Sequence, residues 1–487
     1  MNRLTTRADW LLLAAIVPVL ILFKAWLTYF AGIEIHYDEA QYWEWSQQLD
    51  WSYYSKGPLI AWLIALSDAL FGHGVWQVRL FGWLFHCIFL VLIFAFAYQV
   101  WHDRITAWWA FAIALLSPLY FTLGLVMTTD NLLFVFWTWG LWATYRAVIE
   151  EKPYAWYEAG AAAGLGVLTK LSIGLLPAFV GLWIIFNPAW RHHLKSPHLW
   201  SGLLLMFVLM SPVFIWNANH NWVMFRHELG HIENTRPSIT RALEFMVGQI
   251  LVLSPIITIV AIPKLWRKPR AENQLFLWAL GICWVAFFIL KAVGSKEQVN
   301  WPAPSYIGLL ILFSGFISSF SETKRRILYS GFAVSIVLMI IIYFPQTIGL
   351  SAKEFAPIRK VRGWQESIRY ISEQVPDAQF VLTTTYPLAA ELAFYWNRKI
   401  PVYITGDSAR RFTQHDLWPS INREAGHTAL FVNDKPQLPP ELDKAFSKCT
   451  SLKPVISEDQ FGTALRTLYP ALCTNYQIID WPRPQFY

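Results

Sequence analysis

Residues 10–41 read WLLLAAIVPVLILFKAWLTYFAGIEIHYDEAQ, and the fold class follows from them. The run from Trp10 to Phe30 is long enough to cross a bilayer, for which about 20 mostly apolar residues are needed. Arg3 and Arg7 precede it and no small-residue cleavage site follows. It therefore reads as a retained first helix and not as a signal peptide. Directly beyond it come Glu34, His36, Asp38 and Glu39. A basic entry, an apolar crossing and an acidic exit predict a membrane protein whose polar groups gather on the far side from its N-terminus.

The rest of the chain agrees. Of 487 residues, 55% are hydrophobic and only 15% charged. A soluble domain carries roughly 25% charged residues, so the solvent of this chain is mostly lipid. Aromatics reach 17%, with 28 Trp, as expected where rings sit at the membrane–water interface. The net charge of +7 does not point to nucleic acid, because the basic residues lie in short loops between apolar runs.

About eleven candidate spans of sufficient length follow. They lie near residues 10–30, 76–100, 106–125, 129–147, 156–172, 173–187, 199–216, 245–263, 274–294, 303–320 and 327–346. With the N-terminus inside, every second connection is basic: Arg104; Arg146 and Lys152; Arg191 and Lys195; Lys264 to Arg270; Lys324 to Arg326. The intervening loops hold the acids, as the positive-inside rule requires. Two outer loops are long, 31–75 and 217–244. In the first, amphipathic stretches with Trp43, Trp45, Trp51, Tyr53 and Tyr54 suit helices lying in the interface plane. The transmembrane part is expected over 1–348. From 349 to 487 charges become frequent, and AQFVLTTT, IPVYITG and TALFVND read as buried strands between helical stretches. The expectation is a mostly α, polytopic membrane protein with a small C-terminal α/β domain outside the cytoplasm. Cys449 and Cys473 lie in that domain, where a disulfide is open. Cys87 and Cys283 sit in apolar runs as packing residues.

Adjacent residues on a helix point about 100° apart. Asp38 can thus face a cavity as a general base while Glu39 orients it, holds the loop or binds a metal. The same pair also suits a first helical turn, where acids are favoured. Asp130, in Met127-Thr128-Thr129-Asp130-Asn131, opens the fourth span, either facing a polar partner or capping the helix. Lys56, Arg79, Lys170 and Lys296 stand near outer span ends. Each can snorkel; together they would form an anion site for a membrane-anchored phosphate. In the second outer loop, His227-Glu228-Leu229-Gly230-His231 matches the HExxH zinc pattern letter for letter. Gly230 weakens the helix that pattern needs. A divalent metal stays open, with His227 and His231 as its candidates, against a plain reading as polar loop residues.

Three blocks carry a resemblance. Tyr37-Asp38-Glu39-Ala40-Gln41-Tyr42-Trp43, with Leu49-Asp50-Trp51-Ser52-Tyr53-Tyr54 and Pro58-Leu59-Ile60-Ala61-Trp62-Leu63, resembles the first outer loop of glycosyltransferase family 39. That family includes bacterial relatives of protein O-mannosyltransferases and of the aminoarabinose transferase acting on lipid A. Thr129-Asp130 resembles its second acidic motif, and Asn300-Trp301-Pro302-Ala303-Pro304-Ser305-Tyr306 its late motif. The resemblance covers roughly residues 8–320 and implies a GT-C fold with a polyprenyl-phosphate-linked sugar donor. It implies Asp38 as the acid that activates the acceptor hydroxyl, with Glu39 as its neighbour, Asp130 as the second acid and Lys56 on the donor phosphate. Tyr37, Trp43 and Tyr54 would position the sugar or lipid. The chain departs from the family at Ser55-Lys56-Gly57-Pro58, where some relatives carry an acidic metal ligand before the Lys and a Pro-Pro pair after it. The expected activity is inverting sugar transfer at the inner membrane to an extracytoplasmic acceptor: lipid A or lipopolysaccharide, another glycolipid or a protein. The rival classes are a transporter or flippase of a lipid-linked sugar, which needs charged or broken helices near the bilayer middle, and a non-catalytic assembly or sensor protein.

Overall fold

The structure, a computed structural model, describes residues 6–230, 237–295, 297–397, 399–406 and 410–484. The helices run α1 Arg7–Phe30, α2 Tyr37–Ser46, α3 Leu59–Phe71, α4 Val75–Trp101, α5 Arg104–Leu116, α6 Pro118–Leu125, α7 Thr129–Val148, α8 Ala155–Val167, α9 Leu175–Phe186 and α10 Pro197–Asn219. They continue with α11 Val223–Gly230, α12 Ile239–Leu253, α13 Pro255–Leu265, α14 Glu272–Gly294, α15 Ser305–Phe316 and α16 Glu322–Tyr343. All eleven apolar runs are helical, but they are not eleven equal spans. Among the described residues α1, α4, α10, α14 and α16 are each long and apolar enough to cross a membrane; three bent helix pairs would raise the number to eight.

The bends have a local cause. α6 and α13 each begin with a proline, Pro118 and Pro255, and the chain turns by 62° and 112° there. Proline lacks the N–H that would continue the preceding helix. A third bend, 116°, falls at Pro188 after α9. α8 has 13 residues, about 20 Å at 1.5 Å per residue, too short to cross alone. It is held instead by close backbone approach: a Cβ on Gly160 would lie 1.9 Å from the Gly202 carbonyl oxygen of α10. Small residues at such a seam allow helices to pack where no hydrophobic driving force separates lipid from protein.

The first outer loop departs from expectation. Of its aromatics Trp45, Tyr53 and Tyr54 fold inward, while Trp51 stays exposed. Trp45 and Tyr53 are fully buried and stack at 4.6 Å, and the Tyr53 hydroxyl donates to the Trp45 carbonyl at 3.0 Å. α18 (Tyr386–Tyr395), of the C-terminal region, packs on α2 and covers what the interface would otherwise have covered.

That C-terminal region also holds α17 Trp364–Gln374, α19 Leu442–Ala445 and six strands: β1 Phe380–Thr383, β2 Val402–Ile404, β3 Ala429–Asn433, β4 Phe446–Ser451, β5 Val455–Glu458 and β6 Ala464–Tyr476. The sheet order is β2-β1-β3-β6-β4, with β5 also on β6. β1 pairs in parallel with β2 and β3, the three strands legible as apolar runs; β4 to β6 pair antiparallel. In the β4–β6 register Cys449 lies opposite Cys473, and the two are bridged.

Candidate active site

α2 sets the site. His36 caps it: its Nδ1 accepts from the Asp38 N–H at 3.2 Å, and its own N–H donates to Glu39 Oε2 at 3.0 Å. This reciprocal cap fixes the first turn and sends its two acids in different directions.

Glu39 points into the protein. It accepts from Arg79 Nε at 2.8 Å, Arg79 Nη2 at 2.7 Å and the Met127 N–H at 2.7 Å, besides His36. Arg79 spends its other donors on the Ile33 and Glu34 carbonyls, at 3.0 and 2.8 Å. Both side chains are fully buried. Glu39 thus has four donors on its two oxygens, and of the pair only Asp38 is left to meet a substrate. The expectation for Arg79 is corrected. Arg79 cannot meet a donor phosphate, because its guanidinium is enclosed and bonded. The pair ties the first outer loop to α4 and to the turn before α7.

Asp38 points the other way, into a cavity of about 1130 Å³. Lys56, Asp130, Lys170 and Asn300 share its wall. The depth of the site pushes the Asp38 carboxyl above the usual carboxylate range, while His36, Lys56 and Lys360 pull it back. Asp130, buried at the start of α7, accepts from Lys170 Nζ at 2.9 Å through one oxygen and from Asn300 Nδ2 at 2.8 Å through the other. It therefore joins the α8–α9 turn to the Trp-Pro-Ala-Pro segment. Lys56 Nζ lies 3.3 Å from Glu228 on α11. The turn carrying Lys56 rests on the backbone of Leu168: Leu59 N–H donates to the Leu168 carbonyl at 3.0 Å, and a Cβ on Gly57 would stand 2.2 Å from that same oxygen. Gly57 thus lets the Lys56 turn and the Lys170 turn dock against each other. Below these groups the walls are apolar, with Leu251, Val252, Phe287, Phe288, Leu338 and Ile342 from α12, α14 and α16.

A second recess, of about 810 Å³, lies under the C-terminal region. Tyr37, Asp38, Tyr42, Lys56 and Lys360 line both spaces. The second adds Tyr54, His227, Arg359, Arg411, Arg466 and Tyr386. Asp38 and Lys56 therefore stand at the junction of an apolar-walled cavity and a basic recess.

The remaining expected residues divide. Tyr37 and Tyr54 line the recess. Trp43 does not: its Nε1 donates to Asp68 at 2.7 Å and its ring packs on His73 and Phe394, so its role is to hold α2 against α3 and α18. Lys296 and His231 lie outside the described residues. His227 is buried with its ring edge-to-face on Tyr54 at 5.1 Å. The described part of α11 runs to Gly230, and the second histidine of the zinc-protease pattern lies outside the described residues. Ser55, also buried, offers a hydroxyl where some relatives have a carboxylate. Among the described residues no three carboxylate, imidazole or thiolate donors converge at this cavity.

Two cations were not anticipated. Lys291, in the last turn of α14, lines the cavity, donates to Glu297 at 3.2 Å and sits over the Trp301 ring at 4.6 Å. A lysine inside an otherwise apolar run was the signal for it. Lys360, from the linker after α16, faces the Tyr37 ring at 5.9 Å; nothing local marks it, because only the tertiary fold brings that linker over α2.

The comparisons with known proteins follow this geometry. The family described as dolichyl-phosphate-mannose-protein mannosyltransferase matches residues 55–216. A lipid A galacturonosyltransferase, RgtD, of Rhizobium johnstonii is 27% identical over 290 residues, 58% of this chain and 60% of the relative. An undecaprenyl phosphate-alpha-4-amino-4-deoxy-L-arabinose arabinosyl transferase of Pectobacterium carotovorum is 30% identical over 293 residues, 57% of this chain and 52% of the relative. The matches thus span little more than half the length of these relatives. The structure of ArnT from Cupriavidus metallidurans bound to undecaprenyl phosphate superposes with a TM-score of 0.68 at 17% identity, covering 96% of this chain and 98% of that one. The fold is that of this ArnT structure, a multi-pass arrangement of apolar helices. The matched family and these relatives make the chain similar to the glycosyltransferase 39-like proteins that its first outer loop resembles.

Proposed function

We propose that this protein is a glycosyltransferase that moves a sugar from a polyprenyl-phosphate-linked donor to a glycolipid acceptor of the lipid A class, by a single inverting displacement. The observation that carries the reading is the position of Asp38 and Lys56 where the apolar-walled cavity meets the basic recess. A polyprenyl chain matches the apolar walls from α12, α14 and α16. A phosphorylated acceptor matches Arg359, Lys360, Arg411 and Arg466. The names of the similar transferases supply the two chemical classes.

In this mechanism the acceptor hydroxyl oxygen attacks the anomeric carbon and forms the new glycosidic bond. The bond from that carbon to the phosphate oxygen breaks on the opposite face, and the phosphate leaves with the electron pair. Asp38 takes the hydroxyl proton. General-base help of this kind contributes about 10² to 10⁴-fold. Lys56 and Lys170 meet the charge that grows on the leaving phosphate; such pre-placed donors act most strongly where water is excluded. Asp130 is a positioning residue, holding Lys170 and Asn300 at the cavity wall. The orientation that suits this chemistry has the N-terminus and the basic connections in the cytoplasm, with the cavity and C-terminal region outside.

A transporter would need charged or broken helices near the bilayer middle; three helix pairs are bent, so the charged groups decide between the readings. The buried pair there is Lys24 and His86, with Lys24 donating to the Gly124 carbonyl at 2.7 Å. Both are fully enclosed and neither recess reaches them, so the pair reads as a tie between α1, α4 and α6. Proteoliposomes carrying the chain, a sugar-labelled undecaprenyl phosphate donor and lipid A test the proposal. Labelled lipid A is the expected product; intact donor moved across the bilayer with no labelled lipid A would overturn transfer in favour of transport.

A further inference from the structure

Glu151, His192 and His193 meet at the end of the molecule opposite the cavity. α7 begins beside Asp130 and has 20 residues, so its far end lies about 30 Å from the active site at 1.5 Å per residue. Glu151 follows that end. The two histidines lie on the 3-10 turn Pro188–Lys195 that leads into α10. His192 Nε2 is 3.2 Å and His193 Nε2 3.7 Å from the same Glu151 oxygen. One ligand atom from each of the three residues lies within 4.8 Å of the others.

His192 Nδ1 lies 3.0 Å from the Ala189 carbonyl, and its Nε2 is the atom turned to Glu151. The buried His193 Nε2 faces the same carboxylate oxygen and has no hydrogen-bond partner. Two ring nitrogens and a carboxylate thus stand together, a donor set that a cation can bridge. An Nδ1–H bonded to a backbone carbonyl is also how proteins orient metal-bound imidazoles. His193 is 4% exposed, and a buried ring nitrogen without a partner is uncommon unless a ligand or ion meets it.

We infer that this cluster binds a divalent cation of the zinc class, through Nε2 of His192, Nε2 of His193 and the Glu151 carboxylate, with water in the fourth position. Two imidazoles and a carboxylate form a zinc ligand set. Tetrahedral ligands at zinc distances stand roughly 3.3 Å apart, close to the two separations already present. Glu151 has left-handed backbone, φ 53°. The ion clasps the α7–α8 turn to the connection before α10, and so braces the basic face independently of sugar transfer.

The test uses the full chain in detergent, purified on an affinity tag without histidines, stripped with chelator and titrated with Zn²⁺ alone. One ion per chain is expected, with tetrahedral d–d absorption when Co²⁺ replaces it. Glu151→Gln should weaken binding by at least about 10-fold, and His192→Gln/His193→Gln should bind none. Zn²⁺ should raise the melting temperature of the native chain but not of Glu151→Gln, whose exposed position leaves folding intact. A native chain that binds no Zn²⁺, or a double histidine variant that binds it as the native chain does, overturns the inference.

Discussion

Asp38 and Glu39 show how one covalent step separates two chemistries. The N-cap at His36 turns Glu39 inward to Arg79 and leaves Asp38 facing the cavity. Removing one partner of a buried ion pair costs about 3–5 kcal/mol, because the other charge stays buried and unpaired. Glu39→Gln is therefore expected to lower the melting temperature in detergent sharply and to cost folded yield. A stable, inactive Glu39→Gln would instead make Glu39 part of the chemistry. Asp38 gives a different signature. Its carboxyl is held above the ordinary value by burial, so it stays protonated to higher pH and the base form appears later. The rate of transfer should rise with pH through that raised value, placing the acid limb above the usual carboxylate range. Lys360 pulls the value down, so Lys360→Gln should move the acid limb further up; an unmoved limb would separate Asp38 from the rate-controlling proton. The sequence showed the acidic pair but could not assign its members, since adjacency carries no information on which way a helix faces.

At the level of elements, the Ser55-Lys56-Gly57-Pro58 turn is the point where the chain departs from the family it resembles, and the structure gives Gly57 a reason. Any side chain there meets the Leu168 carbonyl at 2.2 Å, so the backbone must retreat and carry Lys56 with it. Gly57→Ala should lower the transfer rate by 10-fold or more, in the order of a lost electrostatic contact, while helicity by circular dichroism holds. Native activity in Gly57→Ala would show that the docking of the two turns does not position Lys56. The helices were legible because lipid demands long apolar runs. The bends at Pro118 and Pro255 were less so, since a proline inside an apolar run marks a kink without its angle. β4 to β6 escaped notice for another reason: Phe446–Ser451 and Ala464–Tyr476 mix exposed and buried positions, whereas β1 and β3 are buried throughout and read as continuous apolar runs.

At the scale of the whole molecule, the site is a meeting of distant segments. Asp38 follows α1, Asp130 starts α7, Lys170 leads into α9, Lys291 ends α14 and Lys360 follows α16. Alternating loop charge led to the expectation that Asp38, Asp130 and Lys170 share a face; Lys291, Lys360 and all the distances were not legible, because no local pattern encodes which helix ends converge. The C-terminal region closes the recess over Asp38, and its disulfide joins β4 to β6 across 24 residues. A bridge closing a loop of that size contributes about 3 kcal/mol. Cys449→Ser/Cys473→Ser should therefore lower the melting temperature of the purified chain; an unchanged melt would show that the bridge does not stabilise the folded region. The account rests finally on Asp38 as the proton acceptor at the junction of two substrate spaces. Single-turnover transfer in proteoliposomes, measured beside donor binding, tests this most directly. Asp38→Asn should bind donor as the native chain does and transfer sugar at least about 10²-fold more slowly. A folded Asp38→Asn that transfers at the native rate would contradict it.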